Sequence, residues 1–248
     1  MCGIFAYAGS ENAVPLLIEG LRSVEYRGYD SAGISVIDAS GVIQTVKRGD
    51  HKASLENLAV TVGDGQLSGV VGIGHTRWAT HGQVNQQNSH PHSSSNGVVS
   101  IAHNGIIENF LELKDELVDS GIEFLSETDS EVLAHLVGNS VASGSSLREA
   151  VIGAASRIKG NTAIVAVSAA EPNIVVGLRV GNAGGIVVGK NADAAVMASD
   201  TIALLPYTTE VIYLEPGEVV EIEKGAIRLF DLEGLSIERE PIITAQNF

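Results

Sequence analysis

The chain's one cysteine stands at position 2, in Met1-Cys2-Gly3-Ile4. Methionine aminopeptidases remove an initiator methionine when the next side chain is small, and cysteine qualifies. The processed chain would then begin with a thiol and a free α-amine on the same residue. An α-amine titrates near 7.7–8.0, so at neutral pH it can take the thiol proton directly or through a water. The plain alternative is that Cys2 is a small buried apolar residue at the start of a strand.

A thiolate attacking a carboxamide needs donors for the oxyanion. His103-Asn104-Gly105 offers an Asn side-chain amide and a Gly backbone N–H. They are read as lying at the end of a buried strand, just before a helix whose N-terminal amides favour negative charge. Asn-Gly is equally a common hairpin pair. The octet His75-Thr76-Arg77-Trp78-Ala79-Thr80-His81-Gly82 gathers hydroxyls, imidazoles, one Arg and the only Trp. Arg77 could fork onto a carboxylate, and Trp78 could cover a pocket. Core packing for Trp78 and a structural ion pair for Arg77 are the alternatives. Ser126-Glu127-Thr128-Asp129-Ser130-Glu131 could supply a carboxylate to bind an ammonium, or Thr128 and Asp129 could only cap the following helix, and the two roles can coexist because Asp129 has two oxygens. His75, His81, His90, His92 and His103 raise the question of a metal. No Asp or Glu falls between Trp78 and Ile107, and no thiolate besides Cys2 is available, so neither a metal nor any other cofactor is expected.

These groups need elements to hold them. Gly3–Tyr7 reads as a strand and Ala13–Glu25 as a helix with Leu16, Leu17, Gly20, Leu21 and Val24 near a 3.6-residue period. Ser31–Ile37 and Val42–Lys47 read as a hairpin across Asp38-Ala39-Ser40-Gly41. Val70–His75 and Val98–His103 read as buried strands. Helices are expected over Ile106–Ser120, from Thr128 or Asp129 through Val137, and from a Ser146 cap to about Lys159. Short strands follow: Ala163–Ser168, Ile174–Leu178, Gly185–Gly189, Ala195–Ala198, Val211–Leu214, Val219–Glu223 and Ile227–Asp231. Helices in grouped blocks with many short strands point to an antiparallel α+β layered domain, and not to a regular βαβ alternation. The polar, charge-free segment from Trp78 to Ile107 is long and irregular, which favours a functional loop.

Composition sets outer limits. In 248 residues, thirty acidic side chains face fifteen basic ones, a formal charge of −15. That balance repels nucleic acid and anionic membranes. No run approaches the ~18 apolar residues of a membrane span, and the first basic residue is Arg22, so no secretory signal is read and a cytoplasmic protein is expected. One cysteine excludes an intrachain disulfide.

Taken in order, Cys2-Gly3-Ile4, the run Glu25–Gly33 (which contains Arg27), the octet His75–Gly82, Asn88-Ser89-His90-Pro91-His92, His103–Asn109 and Ser126–Asp129 resemble the glutaminase domain of the glutamine–fructose-6-phosphate aminotransferases, a type 2 glutamine amidotransferase. Ala198-Ser199-Asp200 and Glu215-Pro216-Gly217-Glu218 fit as well. The resemblance covers the chain 1–248 as one domain, with Ser89 where the family mostly has Ala. It implies an N-terminal-nucleophile hydrolase fold, a four-layer αββα sandwich of two antiparallel sheets. It implies hydrolysis of L-glutamine to glutamate and ammonia, with Cys2 as nucleophile, Asn104 and Gly105 as oxyanion donors, and Arg27 near the nucleophile. Arg77 would bind the substrate carboxylate and Asp129 its ammonium, while Trp78, Thr80, His81 and His90 would line or close the pocket. It implies as partner a sugar isomerase domain that receives the ammonia, in a homo-oligomeric full-length enzyme. Another amidotransferase of the same nucleophile class, such as amidophosphoribosyltransferase, and a non-catalytic glutamine-binding domain are the competing expectations.

Overall fold

The computed structural model describes residues 2–50, 53–79 and 82–244. β1 (Gly3–Gly9), α1 (Ala13–Val24), β2 (Ser31–Ile37), β3 (Ile43–Arg48), α2 (Ser54–Val62) and β4 (Val71–Arg77) form the first third. β5 (His92–Ser93) and β6 (Val99–Gly105) precede three successive helices, α3 (Phe110–Asp119), α4 (Ser130–Ala142) and α5 (Leu147–Arg157). Strands follow: β7 (Thr162–Ser168), β8 (Glu171–Val180), β9 (Val187–Lys190), β10 (Ala194–Ala198) and β11 (Glu210–Tyr213), then β12 (Glu218–Glu223), β13 (Ala226–Asp231), β14 (Ser236–Ile237) and β15 (Ile242–Ile243).

One sheet runs β15-β11-β9-β10-β1-β4-β2-β3 and the other β14-β13-β12-β8-β7-β6-β5. Every neighbouring pair whose register is described is antiparallel. The two sheets face each other, α1 and α2 cover the first, and α3, α4 and α5 cover the second. The expected αββα sandwich is therefore the fold.

Side-chain alternation in the central strands explains why they read as unbroken apolar runs. On β1, Phe5 and Tyr7 pack with Leu17 and Leu21 of α1, whereas Ile4, Ala6 and Ala8 pack between the sheets with Ile73, Ala102, Ala163 and Val165. Both faces of such a strand are buried, so polar alternation is lost. α1 begins at Asn12, whose side chain accepts the Val14 N–H at 3.2 Å. Pro15 is tolerated because the first turn has no intrahelical N–H bond to lose. α5 starts in a full capping box between Ser146 and Glu149.

One local expectation fails, and a second holds in position but not in bonding. The third helical block starts at Phe110 and not at Ile106, because 106–109 form a turn in which Ile106 N–H reaches Asn161 O and Glu108 N–H reaches Lys159 O. Asp129 occupies the N-cap of α4 but makes no capping bond with its side chain. That carboxylate accepts the Ile107 N–H at 2.7 Å instead.

Candidate active site

Cys2 enters at the start of β1, a central strand of its sheet. Gly3 lies against Thr76 so closely that a Cβ there would stand 2.5 Å from Thr76 Oγ1 and 2.9 Å from Val24 O, which forces glycine after the cysteine. Ser199 fixes the next residue: Ile4 N–H donates to its Oγ and Ser199 N–H to Ile4 O, both at 3.0 Å. The half-buried thiol accepts the Trp78 N–H at 3.3 Å and faces Trp78 O at 3.7 Å. Burial pushes the thiol pKa above its ordinary value, while the Trp78 N–H and the Arg77 charge oppose that rise and Asp30 adds to it. A thiol held in its protonated form needs a base to become a nucleophile. Among the described residues no side-chain base hydrogen-bonds Cys2 Sγ.

Asn104 and Gly105 close β6 in the opposite sheet. Side-chain alternation that sends Ala102 inward also sends Asn104 inward, and the alternation that sends Ile73 inward does the same for His75. The two meet across the gap, with His75 Nε2 3.0 Å from Asn104 Oδ1. Asn104 Nδ2 in turn donates to the Cys2 carbonyl at 3.1 Å, and the amide carries a second N–H beyond that one. Gly105 adopts φ +139°, and a Cβ there would meet Asn161 O at 2.2 Å. Only glycine serves at that position. A hairpin reading of Asn-Gly is thereby excluded, and so is a helix starting immediately after it.

Arg27 reaches the site from the 3₁₀ turn Glu25–Arg27. Its Nη1 lies 2.8 Å from Asp200 Oδ2, which also accepts the Tyr26 hydroxyl at 2.6 Å. Arg77 ends β4, paired with Ser31 in β2, and is buried. Burial works against its charge, and Cys2, Asp30 and Asp129 favour it. Asp30 also accepts the Ala79 N–H at 2.9 Å, tying down the segment that leaves Trp78. Trp78 is 45% exposed, with its ring edge-on to Tyr29 at 5.5 Å.

A cavity of about 540 Å³ opens over the thiol. Cys2, Arg27, Trp78, Asn104 and Gly105 all line it, with Glu108, Asn161 and Asn182 completing the far wall. Arg77 and Asp129 are each one step behind this lining: Arg77 precedes Trp78, and Asp129 holds the N–H of the residue after Ile106. The structure does not bring His90 to the cavity. Its ring is buried, stacked on His75 at 4.2 Å and edge-on to His92 at 4.5 Å, and its Nδ1 accepts the His103 N–H. Thr80 and His81 lie outside the described residues. Among the described residues no cluster of His, Cys, Asp or Glu could hold a metal ion.

Asp200 stands in a run that fits the resemblance, but the sequence assigns it no role, and its ordering of Arg27 from 173 positions away, like the wall residues Asn161 and Asn182, is visible only in the fold. No spacing rule links these to Cys2; only the strand order does. Asp30 lay inside the run that carried the resemblance, but its hold on Ala79 is a tertiary fact.

The family model for a glutamine amidotransferase domain matches residues 63–221. Relatives named glutamine–fructose-6-phosphate aminotransferase [isomerizing] are 44% identical in Clostridium tetani and 41% identical in Escherichia coli K12. These alignments cover 97% and 98% of this chain but 38% and 39% of the relatives, so the chain spans about two-fifths of their length. A solved glutamine phosphoribosylpyrophosphate amidotransferase from B. subtilis superposes with a TM-score of 0.77 at 28% identity, over 93% of this chain and 49% of that one. A class-II glutamine aminotransferase domain protein from Silicibacter pomeroyi shares the fold alone, with a TM-score of 0.63 at 17% identity over 93% and 99% of the two chains. Among the described residues no helix is long and apolar enough to cross a membrane. With the match spanning more than half its length, the chain belongs to the glutamine amidotransferase domain family.

Proposed function

We propose that this chain hydrolyses the side-chain amide of L-glutamine to glutamate and ammonia, with Cys2 as the nucleophile. The observation that carries the reading is the meeting of the thiol and the Asn104 amide, from two different sheets, on one cavity. Removal of Met1 frees the Cys2 α-amine, which takes the proton that burial keeps on the thiol. Sγ then bonds to the amide carbon, and its oxygen gathers negative charge against the free N–H of Asn104 and the N–H of Gly105. The protonated α-amine gives its proton to the departing nitrogen, the C–N bond breaks, and ammonia leaves a γ-glutamyl thioester. Water, deprotonated by the same amine, splits the thioester to glutamate and returns the thiol.

Arg77 is assigned to the substrate carboxylate and Asp129 to its ammonium. Two opposite charges behind one wall distinguish an amino acid from a simple amide. Trp78 and, by family likeness, Thr80 and His81 cover the bound substrate, and Arg27 is held beside the thiol by Asp200. The ammonia serves fructose 6-phosphate in an enzyme of the kind its 38–44% identical relatives are named for, in a sugar-handling part this chain does not span. The 28% identity to the phosphoribosylpyrophosphate enzyme makes that acceptor the second choice.

Incubating the processed chain with 6-diazo-5-oxo-L-norleucine, a glutamine analogue with an electrophilic carbon, tests the reading. One equivalent should be added at Cys2 by mass spectrometry, and L-glutamine should protect. Labelling elsewhere, or none in a chain that lacks Met1, rejects the nucleophile. Replacing Arg77 with alanine should raise KM for glutamine by about 10²-fold, the worth of a charge-assisted carboxylate contact. An unchanged KM removes the carboxylate role.

A further inference from the structure

We infer that His75 is a positioning residue for this hydrolysis: its Nε2–H fixes the amide of Asn104 so that the N–H face is turned to the nucleophile. The inference rests on the glutaminase reading above and adds to it a group that does not touch the substrate.

An asparagine amide can rotate by 180° and exchange Oδ1 for Nδ2 with almost no change in shape. Rotated, it would set Oδ1 against the Cys2 carbonyl, acceptor against acceptor, and would present no donor to a developing oxyanion. His75 prevents this from the other side. Because Nδ2 donates to Cys2 O at 3.1 Å, the oxygen 3.0 Å from His75 Nε2 is Oδ1, and that contact requires a proton on Nε2. The ring cannot swing away. It is buried and stacked on His90 at an interplanar angle of 19°, and His90 is edged by His92 at 72°. Burial lowers the His75 pKa to about 3, so the donor is neutral and adds no charge of its own beside the thiol. His75 is not part of the cavity wall, so it acts on the substrate only through its neighbours, of which Asn104 is the one that lines the cavity.

The test uses the processed chain and His75→Leu, which keeps bulk and removes the donor. Turnover of glutamine should fall about 10–100-fold, short of the loss from deleting an oxyanion donor outright. KM should stay within about twofold, because the lost interaction belongs to the transition state. Alkylation of Cys2 by iodoacetamide, which expels iodide without forming an oxyanion, should keep its rate. His75→Gln, which again offers an N–H, should recover most of the turnover, and His75→Leu should cost nothing further in an Asn104→Ala background. Should the leucine variant not fold, His75→Asn, too short to reach Oδ1, carries the same expectations. Unchanged kcat, a parallel loss of alkylation, or full additivity with Asn104→Ala overturns the inference. A wild-type chain without turnover overturns the glutaminase reading and this inference with it. Wild-type turnover with an unaffected leucine variant overturns this inference alone.

Discussion

Cys2→Ala should abolish glutamine hydrolysis while leaving the protein folded. Deleting the nucleophile of a covalent mechanism removes the bond-forming step itself, and losses of at least about 10⁴-fold in kcat are the usual outcome. The substitution deletes one sulfur, half-buried, whose contacts are to the Trp78 backbone. Stability should therefore shift by less than about 1 kcal/mol, within the range of a minor truncation. The pair of measurements is glutamate release by a coupled assay and the thermal midpoint. Retained turnover at normal stability would remove Cys2 from the mechanism. A chain that keeps Met1 should behave as the alanine variant does, because its thiol lacks the adjacent free amine.

Mild acid should unfold the protein well above the pH at which carboxylates titrate. His75, His90, His92 and His103 are buried at the seam between β4, β5 and β6, and burial lowers the pKa of each. In the unfolded chain the same imidazoles titrate near 6.5. Below that value the unfolded state binds protons that the native state refuses, so stability is complete above pH 6.5 and declines as pH falls. Each imidazole that stays neutral contributes about 1.4 kcal/mol per pH unit, so His75, His90 and His92, which lie furthest below their ordinary value, together approach roughly 4 kcal/mol per unit, and His103 adds in the same direction. Against a total stability of about 5–15 kcal/mol, a drop of one to two units is enough to unfold a typical domain. Glu131 acts in the same direction but much later. Hydrogen bonds from Ser126, Leu125 and His135 outweigh its burial and hold it at about 2, so its share is lost only below its unfolded pKa near 4.5. The thermal midpoint should fall steeply between pH 7 and pH 5, and unfolding at pH 5.5 should take up about three protons, from His75, His90 and His92, plus any share from His103. A flat midpoint over that interval would show that these rings are protonated in the native state.

Much of this was legible in the chain because the signals were local. The apolar runs of β1, β2, β4, β6 and β7 could be read to within one or two residues, since strands buried on both faces are mostly apolar, and the misses at the ends of β4 and β6 fall on Thr76-Arg77 and Asn104-Gly105, where the apolar run stops before the strand does. α5 announced itself through the Ser146–Glu149 box. α2 escaped notice because β-branched Val60, Thr61 and Val62 weaken helix propensity in its last turn, and only its packing against α1 and β2 settles the matter. The start of α3 was misplaced because Ile106 and Ile107 look helical in spacing, yet Gly105 at φ +139° turns the chain first and Asp129 pins Ile107 to a neighbouring element. The candidate site divides the same way. Cys2, Asn104 and Gly105 stand out by residue type. His90 enters as a pocket residue through the family resemblance alone, and its ring instead stacks on His75 behind Asn104. Asp200 on Arg27 and His75 on Asn104 depend on which strands become neighbours, and no periodicity encodes that.

The thiol and the amide ride on separate slabs, and what keeps those slabs apart is a close-packed filling in which alanines (Ala6 on one, Ala102 and Ala163 on the other) interlock with larger side chains such as Ile4, Ile73 and Val165. That filling acts as a spacer gauge. A methyl-sized change in it, far from any ligand, would wedge the slabs open or let them settle, and the reach from Asn104 to Cys2 would change with it. The tolerances of the chemistry are thus written into aliphatic side chains that never meet the substrate.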